Sequence, residues 1–381
     1  MIVVLNPGGW PVATPLQLDP AYWQLATQVK DLHLREESWP VGAPVGPASF
    51  QPTLGELLVL SGLLTTPATT LNALTAWAFL VEALESVEPG AGFLKTVAAT
   101  RGWDSTVKAS FSWKMAHGPA AWLLMHQYGV VHVADAEPFI NRAMLAAGPF
   151  GGVGLHQAVG NLQKPDFLCL TAAGEVVIAE VKGAFGPPSN LSGPKAKGKR
   201  QTQAVTPIGA PLRASLGRLV FATNVRIDGK RVHSGKESGT AVVDPEGDDQ
   251  ALNVPVDADD VVRAAYQKVF NLAGRRELAA LLETPRPEVV FFGDGAELGT
   301  QEVHGTRAVP LIDIGPVRLF LQRGVFDALF GGPQEGIAQR VQATLDETGG
   351  HLSEVGGVMR QQGLGFGLPN GVLVAAQGTF E

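Results

Sequence analysis

The sequence of 381 residues contains a single cysteine, Cys169. A disulfide needs two cysteines and cysteine-rich zinc sites need several, so both kinds of structural support are excluded by counting. Any metal ion would have to be held by oxygen or imidazole ligands. Cys169 itself lies in an apolar run, which favours a buried, unreactive thiol.

Long uninterrupted apolar runs are also absent. The longest candidate, "LNALTAWAFLVEALESV" from Leu71, is interrupted by Glu82 and Glu85. It falls short of the roughly 20 apolar residues that a membrane-spanning helix needs. The start, "MIVVLNPGGWPVATP", has neither the basic residues nor the small-residue cleavage site of a secretory signal. We therefore expect a cytoplasmic protein with no membrane partner.

Charged residues make up only 17% of the chain and apolar residues 45%, which is typical of a globular protein. The net charge of −7 is unevenly distributed. From Lys182 to Lys236 there are eleven Lys or Arg residues and one acid, Asp228. This segment predicts a local anion-binding surface, and a solvated lysine-rich loop is the alternative interpretation.

The length predicts two or three domains. Residues 1–110 are expected to form a mainly helical accessory domain, with apolar periodicity in "AYWQLATQVKDLHL", "LGELLVLSGLL" and "TTLNALTAWAFLVEALESV". Residues 111–243 change to a mixed helix and strand pattern. Residues 244–381 are expected to form a mixed α/β C-terminal domain, with an Asn-Gly turn signal near its end.

The middle segment predicts a compact α/β module. "GPAAWLLMHQY" is expected to be a helix with Pro119 in its first turn, and "GVVHVADAE" a strand. The strands "DFLCL" and "EVVIAEV" come next, then helical pieces in "KAKGKRQTQAV" and "PLRASLGR", then the strand "RLVFATNVRI". The resulting order is helix, strand, strand, strand, helix, strand.

A β-hairpin is expected where "DFLCL" and "EVVIAEV" are joined by "AAG", a three-residue loop whose glycine takes the left-handed conformation. If Thr171 pairs with Glu175, Asp166 lies directly opposite Glu180. Because side chains alternate along strands, Lys182 then shares a face with both carboxylates.

Two neighbouring carboxylates raise each other's pKa unless a cation lies between them. Asp166 and Glu180, with the Val181 carbonyl as a third ligand, suit Mg²⁺ or Mn²⁺, which keep several waters. Such an ion can bind a phosphate oxygen and lower the pKa of a bound water, which Lys182 would orient or activate. The alternative is an exposed hairpin with a surface ion pair; Pro165, the apolar strand and the basic helix that follows favour a site.

This pattern, "PD" at Pro165 and Asp166 followed by "EVK" ending at Lys182, resembles the PD-(D/E)xK, or restriction-endonuclease-like, nuclease superfamily. The resemblance covers roughly residues 111–228. It implies a restriction-endonuclease-like αβββαβ core and a Mg²⁺-dependent nuclease acting on DNA, with RNA not excluded. It also implies Asp166 and Glu180 as metal ligands and Lys182 as the catalytic lysine.

Many members of that superfamily carry a Gln or Lys on the next helix, where this chain offers Gln201 and Gln203. We expect Gln203 to act in catalysis and Gln201 to contact the nucleic acid. The basic side chains nearby should contact the nucleic-acid backbone without reading its sequence. These side chains belong to Lys195, Lys197, Lys199 and Arg200.

The departure from the superfamily lies upstream, where its first helix usually supplies a glutamate and "HGPAAWLLMHQY" has none. Glu137 or Asp135 is the candidate replacement, and His117 or His126 a further option, so the number of metal ions stays open. A runner-up function is a catalytically weak restriction-like subunit for nucleic-acid binding or assembly. In a third interpretation, the charged hairpin is structural.

A role in restriction, phage defence or mobile-element processing is an analogy at the level of the fold. A double-strand cutter with one site per chain would act as a homodimer or with partner subunits. Trp113 and Trp122 offer base stacking, although core packing is the favoured role. His156, in a Gly-rich link, could reach the site, but a surface histidine is commoner.

Overall fold

The computed structural model describes residues 4–5, 11–12, 24–37, 46–66, 73–90, 92–146, 164–227, 237–247, 251–283, 300–303, 305–314, 317–333, 335–348 and 365–376. Helices and strands are both abundant in these ranges, so the fold is mixed α/β, as the sequence predicts. No described helix is long and apolar enough to cross a membrane.

The helices share the chain with numerous short and long strands. The helices are α1 Leu54–Thr65, α2 Ala73–Ser86, α3 Ser105–His126, α4 Glu137–Ala146, α5 Ser192–Gln203, α6 Ala258–Leu272, α7 Arg276–Glu283, α8 Arg323–Phe330 and α9 337–348. The strands are β1 Val4–Leu5, β2 Pro11–Val12, β3 Lys30–Glu37, β4 Ser49–Phe50, β5 Gly92–Phe93, β6 Lys95–Thr96, β7 Val130–Asp135, β8 Phe167–Thr171, β9 Val176–Phe185, β10 Val205–Ile208, β11 Arg218–Ile227, β12 Gly239–Val243, β13 Leu252–Pro255, β14 Gln301–Val303, β15 Thr306–Ile314, β16 Val317–Gln322, β17 Gly365–Gly367 and β18 Val372–Ala376.

A nine-stranded sheet lies at the centre of the described residues. Its strand order is β4-β3-β12-β11-β9-β8-β7, with β5 beside β3 and β6 beside β11. Strands β7, β8 and β9 form an antiparallel meander, and β11 runs parallel to β9 after the crossover through α5. The predicted order of helix, three strands, helix and strand is present, with α4 inserted after β7 and β10 inserted before β11.

The hairpin of β8 and β9 has the predicted register. Phe167 pairs with Ala179 and Leu170 with Val176, so Asp166 falls opposite Glu180. Gly174 closes the loop with φ of +77°, a left-handed conformation that glycine adopts without steric cost. The register follows from the loop length and from the burial of both faces of these strands.

Helix α3 begins earlier than the sequence analysis placed it. Asp104 caps its first turn by accepting two backbone amide hydrogen bonds of 2.7 and 3.0 Å. Pro119, predicted in the first turn, therefore lies inside the helix. A Cβ on the preceding Gly118 would be 2.2 Å from the Leu57 carbonyl oxygen, so this dipeptide marks the close crossing of α1 over α3.

Two other predicted helical pieces are wrong. In "AYWQLATQVKDLHL", only residues 24–26 are helical in the described part, and Lys30 begins the strand β3. Burial alternates along β3, which the alternating "LHL" could have indicated. Residues 211–217 are not helical either, because Arg213 bonds through its amide nitrogen to the carbonyl of Val176 beside the central sheet.

The predicted boundaries near residues 110 and 243 do not coincide with breaks in the sheet or the core. Strand β3 pairs in parallel with β12, so the N-terminal segment extends the central sheet. Helix α6 packs against β7, and the Lys268 ammonium on α6 donates to the Leu64 carbonyl at the end of α1. Buried apolar side chains from all three segments consequently join one continuous cluster.

The described part of the C-terminal segment contains both helices and strands. Two helices, α6 and α7, follow β13 and are separated at Gly274, which has φ of +73°. Beyond it, a five-stranded sheet has the order β14-β15-β16-β18-β17. The predicted Asn-Gly signal forms the turn between β17 and β18, where Gly371 has φ of +79°.

His132 on β7 is a buried histidine with no hydrogen-bond partner for either ring nitrogen among the described residues. Burial lowers its pKa to about 3, well below the roughly 6.5 expected in the unfolded chain. Between these values the unfolded state binds the extra proton, so folding stability falls as the pH falls.

We expect His132→Leu to lose less stability than the wild type between pH 7 and pH 4, by on the order of 3 kcal/mol. At pH 7 it should be neutral or stabilising by about 1 kcal/mol, because two unpaired polar atoms leave the core. Urea denaturation across this pH range measures both effects. Exposed His126→Gln is the control, and equal pH dependence in all three proteins would contradict the prediction.

Candidate active site

The carboxylates of Asp166 and Glu180 each accept a hydrogen bond from a backbone amide of the other strand, at the open end of the β8–β9 hairpin. The amide of Asp166 donates to Glu180 Oε2 at 2.8 Å, and the amide of Val181 donates to Asp166 Oδ2 at 2.8 Å. Each carboxylate thus accepts a bond from the strand that carries the other. This reciprocal arrangement fixes both side chains, which share the face that the register predicts.

Glu180 is 0% exposed, which argues against the alternative of a surface hairpin. Its Oε1 contacts the Lys182 ammonium and accepts no hydrogen bond from any other described residue. Burial lowers the pKa of Lys182, while the negative charge of Asp166 opposes that shift. The site therefore holds two carboxylates and one lysine whose proton is more easily released than in water.

The carbonyl of Val181 has an unusual neighbour in the hairpin. Thr171 and Glu175 form the hydrogen-bonded pair that closes the loop, with an N···O distance of 2.9 Å. Such pairs recur at every second residue of an antiparallel ladder, which places Val181 opposite Pro165. Proline has no amide hydrogen, so it cannot donate to the Val181 carbonyl. This oxygen can therefore face a ligand beside Asp166.

Two glycines let helices approach this end of β9 closely. A Cβ on Gly183 would lie 2.0 Å from the Ser112 carbonyl oxygen of α3. A Cβ on Gly198 of α5 would lie 2.5 Å from Val220 Cγ1 and 3.4 Å from Glu180 Cγ. Helix α5 thus covers Glu180 directly, and α3 lies against the residue that follows Lys182. Sequence reasoning did not assign either glycine a role.

The two glutamines of α5 have different surroundings. Gln201 is 8% exposed, and its Nε2 donates at 2.6 Å to the carbonyl of Lys164, two residues before Asp166. The nucleic-acid contact predicted for Gln201 does not fit this burial. Its Oε1 has no partner among the described residues. Gln203, predicted to be catalytic, instead donates to the Glu246 carbonyl at 2.9 Å.

The basic residues of α5 are not equally available to a ligand. Lys195 donates to both carboxylate oxygens of Glu37 on β3, at 2.8 and 2.6 Å, so its charge is already paired. Lys197 and Arg200 are exposed, and Lys199 is partly exposed. These three remain available as the backbone-contacting residues that the sequence predicts.

The residues predicted to replace the missing glutamate as a metal ligand lie in different surroundings. Glu137 is exposed and accepts a hydrogen bond of 2.9 Å from Lys164, which lowers the pKa of its carboxyl group. Asp135 pairs with the buried Lys268. His126 is exposed and packs against a tryptophan.

His117 packs directly against the hairpin, in which Phe167 also pairs with the candidate Asp135 on β7. It is buried, its Nδ1 lies 2.7 Å from the Trp113 carbonyl oxygen, and its ring packs edge-on against Phe167. Burial lowers its pKa to about 4, against the opposing charge of nearby Asp166. His117 is therefore neutral near pH 7 and brings no charge to the site.

No group of three or more His, Cys, Asp or Glu side chains positioned to hold a metal ion occurs among the described residues. A metal here would therefore be held by the two carboxylates and the Val181 carbonyl, with water completing its coordination. Cys169 is buried on the opposite face, and burial raises the pKa of its thiol, in agreement with the predicted unreactive role. His156 lies outside the described residues.

No protein-family model, curated protein or solved structure matches the chain. The resemblance to the PD-(D/E)xK superfamily therefore depends on the motif residues, their register and the order of the surrounding elements.

We expect the paired variants Gly198→Ala and Gly193→Ala to have opposite effects on stability. Both lie on α5 and gain helix propensity, worth up to about 1 kcal/mol. A Cβ on Gly193 meets nothing within 4 Å, so this variant should be neutral or stabilising. At Gly198 the new methyl group would push against Val220 and Glu180, at a cost of about 1–3 kcal/mol.

Urea denaturation of both variants measures these changes in the free energy of unfolding. If Gly198→Ala were as stable as Gly193→Ala, helix α5 would not cover Glu180 as closely as described.

Proposed function

We propose that this protein is a Mg²⁺-dependent nuclease that hydrolyses phosphodiester bonds of DNA. The observation that carries the proposal is the fixed group of Asp166, Glu180 and Lys182 at one end of β9. A buried carboxylate and a neighbouring carboxylate with a shared lysine are costly to assemble and serve no packing purpose.

The order of elements supports a restriction-endonuclease-like core. Helix α3 packs on β9, the meander β7-β8-β9 follows, and α5 crosses over to β11, which is parallel to β9. Asp166 directly precedes the second strand of this unit, and Glu180 and Lys182 lie within the third. These are the positions that the motif occupies in the superfamily that the sequence resembles.

The site residues fit a Mg²⁺ or Mn²⁺ ion. The Val181 amide binds Asp166 Oδ2, which leaves Oδ1 as a candidate ligand atom, and the Val181 carbonyl lacks its ladder donor because residue 165 is proline. With Glu180 these oxygens make a small, hard ligand set, which suits an ion that retains most of its waters. When bound, the ion would neutralise phosphate charge and acidify water.

The chain's own residues have separable roles in hydrolysis. Lys182 would orient the attacking water, and because its pKa is lowered, its neutral amine would be accessible and would accept the proton of that water at Nζ. Gln201 would hold the backbone before Asp166 in place, because it binds the Lys164 carbonyl. It is therefore a positioning residue, whereas Lys182 would act on the reacting atoms.

Binding of the DNA substrate would depend on the exposed cationic side chains of α5. Lys197, Lys199 and Arg200 could contact phosphates adjacent to the site without reading bases. Such contacts make binding strongly salt-dependent, which fits a nuclease that acts on many sequences.

A second candidate is a restriction-like subunit that binds nucleic acid without cutting it. It is favoured by the surroundings of α3, where His117 rather than a carboxylate faces Asp166, and by the contact of Lys182 with Glu180. The complete set of Asp166, Glu180 and Lys182 argues against it, because a binding subunit has no need to bury these charges.

We expect the wild type to nick or degrade plasmid or single-stranded DNA with Mg²⁺ or Mn²⁺ and not with chelator. Lys182→Ala should lower this rate at least about 100-fold, because a group that moves a proton is lost. Lys199→Ala, which removes one phosphate contact from the same region, should change the rate only a few-fold at moderate salt.

Three results would overturn the nuclease proposal. No cleavage by the wild type under any metal condition, together with retention of DNA in a gel shift, would favour the binding subunit. Equal cleavage rates for Lys182→Ala and the wild type would show that Lys182 has no catalytic role. If Glu180→Gln lowered stability but left cleavage unchanged, the charged hairpin would be structural.

The variants Gln201→Leu and Gln203→Leu separate positioning from catalysis on α5. We expect Gln201→Leu to weaken Mn²⁺ binding and lower the cleavage rate about 10-fold or more, because the segment before Asp166 loses its anchor. Gln203→Leu should be close to the wild type. Calorimetric Mn²⁺ titration and cleavage rates measure both, and a greater loss with Gln203→Leu would restore the role that the sequence predicts for Gln203.

A further inference from the structure

Trp113 on α3 is an exposed aromatic residue at the edge of the proposed site. It is 43% exposed, although the sequence analysis favoured core packing for it. A Cβ on Gly183, the residue after Lys182, would lie 2.8 Å from the Trp113 amide nitrogen. The indole is therefore attached to the helix at the point where α3 touches β9 beside the lysine.

The ring of Trp113 is also linked to the other half of the site. It packs edge-on against His117, with 4.6 Å between ring centroids. His117 packs in turn against Phe167, with 5.8 Å between centroids, and Phe167 follows Asp166 directly. Trp113 thus lies one aromatic layer outside the Asp166 end of the hairpin.

This exposure distinguishes Trp113 from the other tryptophan of α3. Trp122 is partly buried and stacks on Phe50 with 5.2 Å between centroids, so it belongs to the packing of the fold. His117 covers only part of the Trp113 ring, which leaves a large rigid apolar surface in water at a free-energy cost. An exposed aromatic face of this kind can stack a nucleobase.

The face of α3 around Trp113 suits a polyanionic strand. The exposed residues that precede it on this face carry no negative charge, in a chain whose net charge is −7. They are Thr106, Ala109 and Ser110. On α5, which covers the face of the sheet that carries Glu180, Lys197 is exposed and its charge helps to lower the pKa of Lys182. A nucleic-acid strand that reaches Trp113 would therefore meet no carboxylate on α3 and a cation on α5.

We propose that Trp113 stacks an unpaired nucleobase next to the phosphodiester held by Asp166, Glu180 and Lys182, so that single-stranded nucleic acid is the preferred substrate. This inference rests on the proposed nuclease function and specifies its substrate. A base within a duplex has both faces covered by its neighbours, whereas an unpaired base can place one face on the indole. Stacking of this kind is tolerant of sequence, because every base has a π-face.

The test compares Trp113→Leu with Trp113→Phe, because leucine keeps apolar bulk and phenylalanine keeps an aromatic face. Val107→Ala, which truncates another exposed apolar residue of α3, is the control. Fluorescence anisotropy with chelator measures binding of a 12-nucleotide single strand and of the matching duplex. A single strand containing 2-aminopurine reports stacking directly, and thermal melting confirms that each variant is folded.

We expect Trp113→Leu to bind the single strand about 10-fold more weakly or worse, with duplex binding changed less than about two-fold. Trp113→Phe should keep most of the affinity and of the 2-aminopurine quenching, and Val107→Ala all of it. In cleavage assays with Mg²⁺, Trp113→Leu should raise KM for the single strand and leave kcat nearly unchanged.

The outcomes separate this inference from the nuclease proposal. If the wild type cleaves DNA with Mg²⁺ but Trp113→Leu binds single strands equally well, the stacking role is wrong and the nuclease stands. Equal losses on single strand and duplex would also overturn it. Trp113-dependent binding of single strands without any cleavage would support the stacking site and overturn the nuclease. Absence of any binding would overturn both.

Discussion

The burial of the Glu180 carboxylate is the constraint on which the rest of the site depends. A carboxylate removed from water carries a desolvation penalty of several kcal/mol, and leaving it unpaired would cost about 3–5 kcal/mol in stability. A hydrogen bond from the Asp166 amide and the contact with the Lys182 ammonium offset this penalty. Both partners come from the same hairpin, so the register of β8 on β9 determines whether Glu180 is tolerated at all.

The packing of helices α3 and α5 around the hairpin is also tied to the burial of Glu180. Helix α5 can cover Glu180 only because Gly198 has no side chain at the point of contact, and α3 reaches β9 only because of Gly183. Gln201 then ties α5 to the segment before Asp166. These contacts enclose the charges in a water-poor environment, where electrostatic interactions with a phosphate are stronger than in bulk water.

Much of this site could be predicted from the sequence because the information is local. The loop "AAG" and the alternating strands determine the pairing of Asp166 with Glu180, and Pro165 explains the open Val181 carbonyl. The surroundings could not be predicted, because they depend on contacts distant in sequence. Lys195 is paired with Glu37, and Gln201 faces the interior rather than a substrate.

In the rest of the fold, too, elements set by local sequence patterns could be predicted, whereas elements set by contacts distant in sequence could not. The strand "RLVFATNVRI" and the Asn-Gly turn before β18 are local patterns and were predicted. Strand β3 was mistaken for helix, since its neighbour β12 is about 200 residues away in the chain and only that pairing makes its alternation meaningful. Pro119 was misplaced because the helix begins at Ser105, after the capping residue Asp104, and continues past the proline to His126.

Anomalous diffraction from crystals containing Mn²⁺ would show directly whether a metal ion binds at the hairpin. We predict an anomalous peak within coordination distance of the Asp166 and Glu180 carboxylates, and no such peak in Asp166→Asn crystals. A Mn²⁺ ion bound elsewhere, with no peak beside these carboxylates at saturating Mn²⁺, would contradict this prediction.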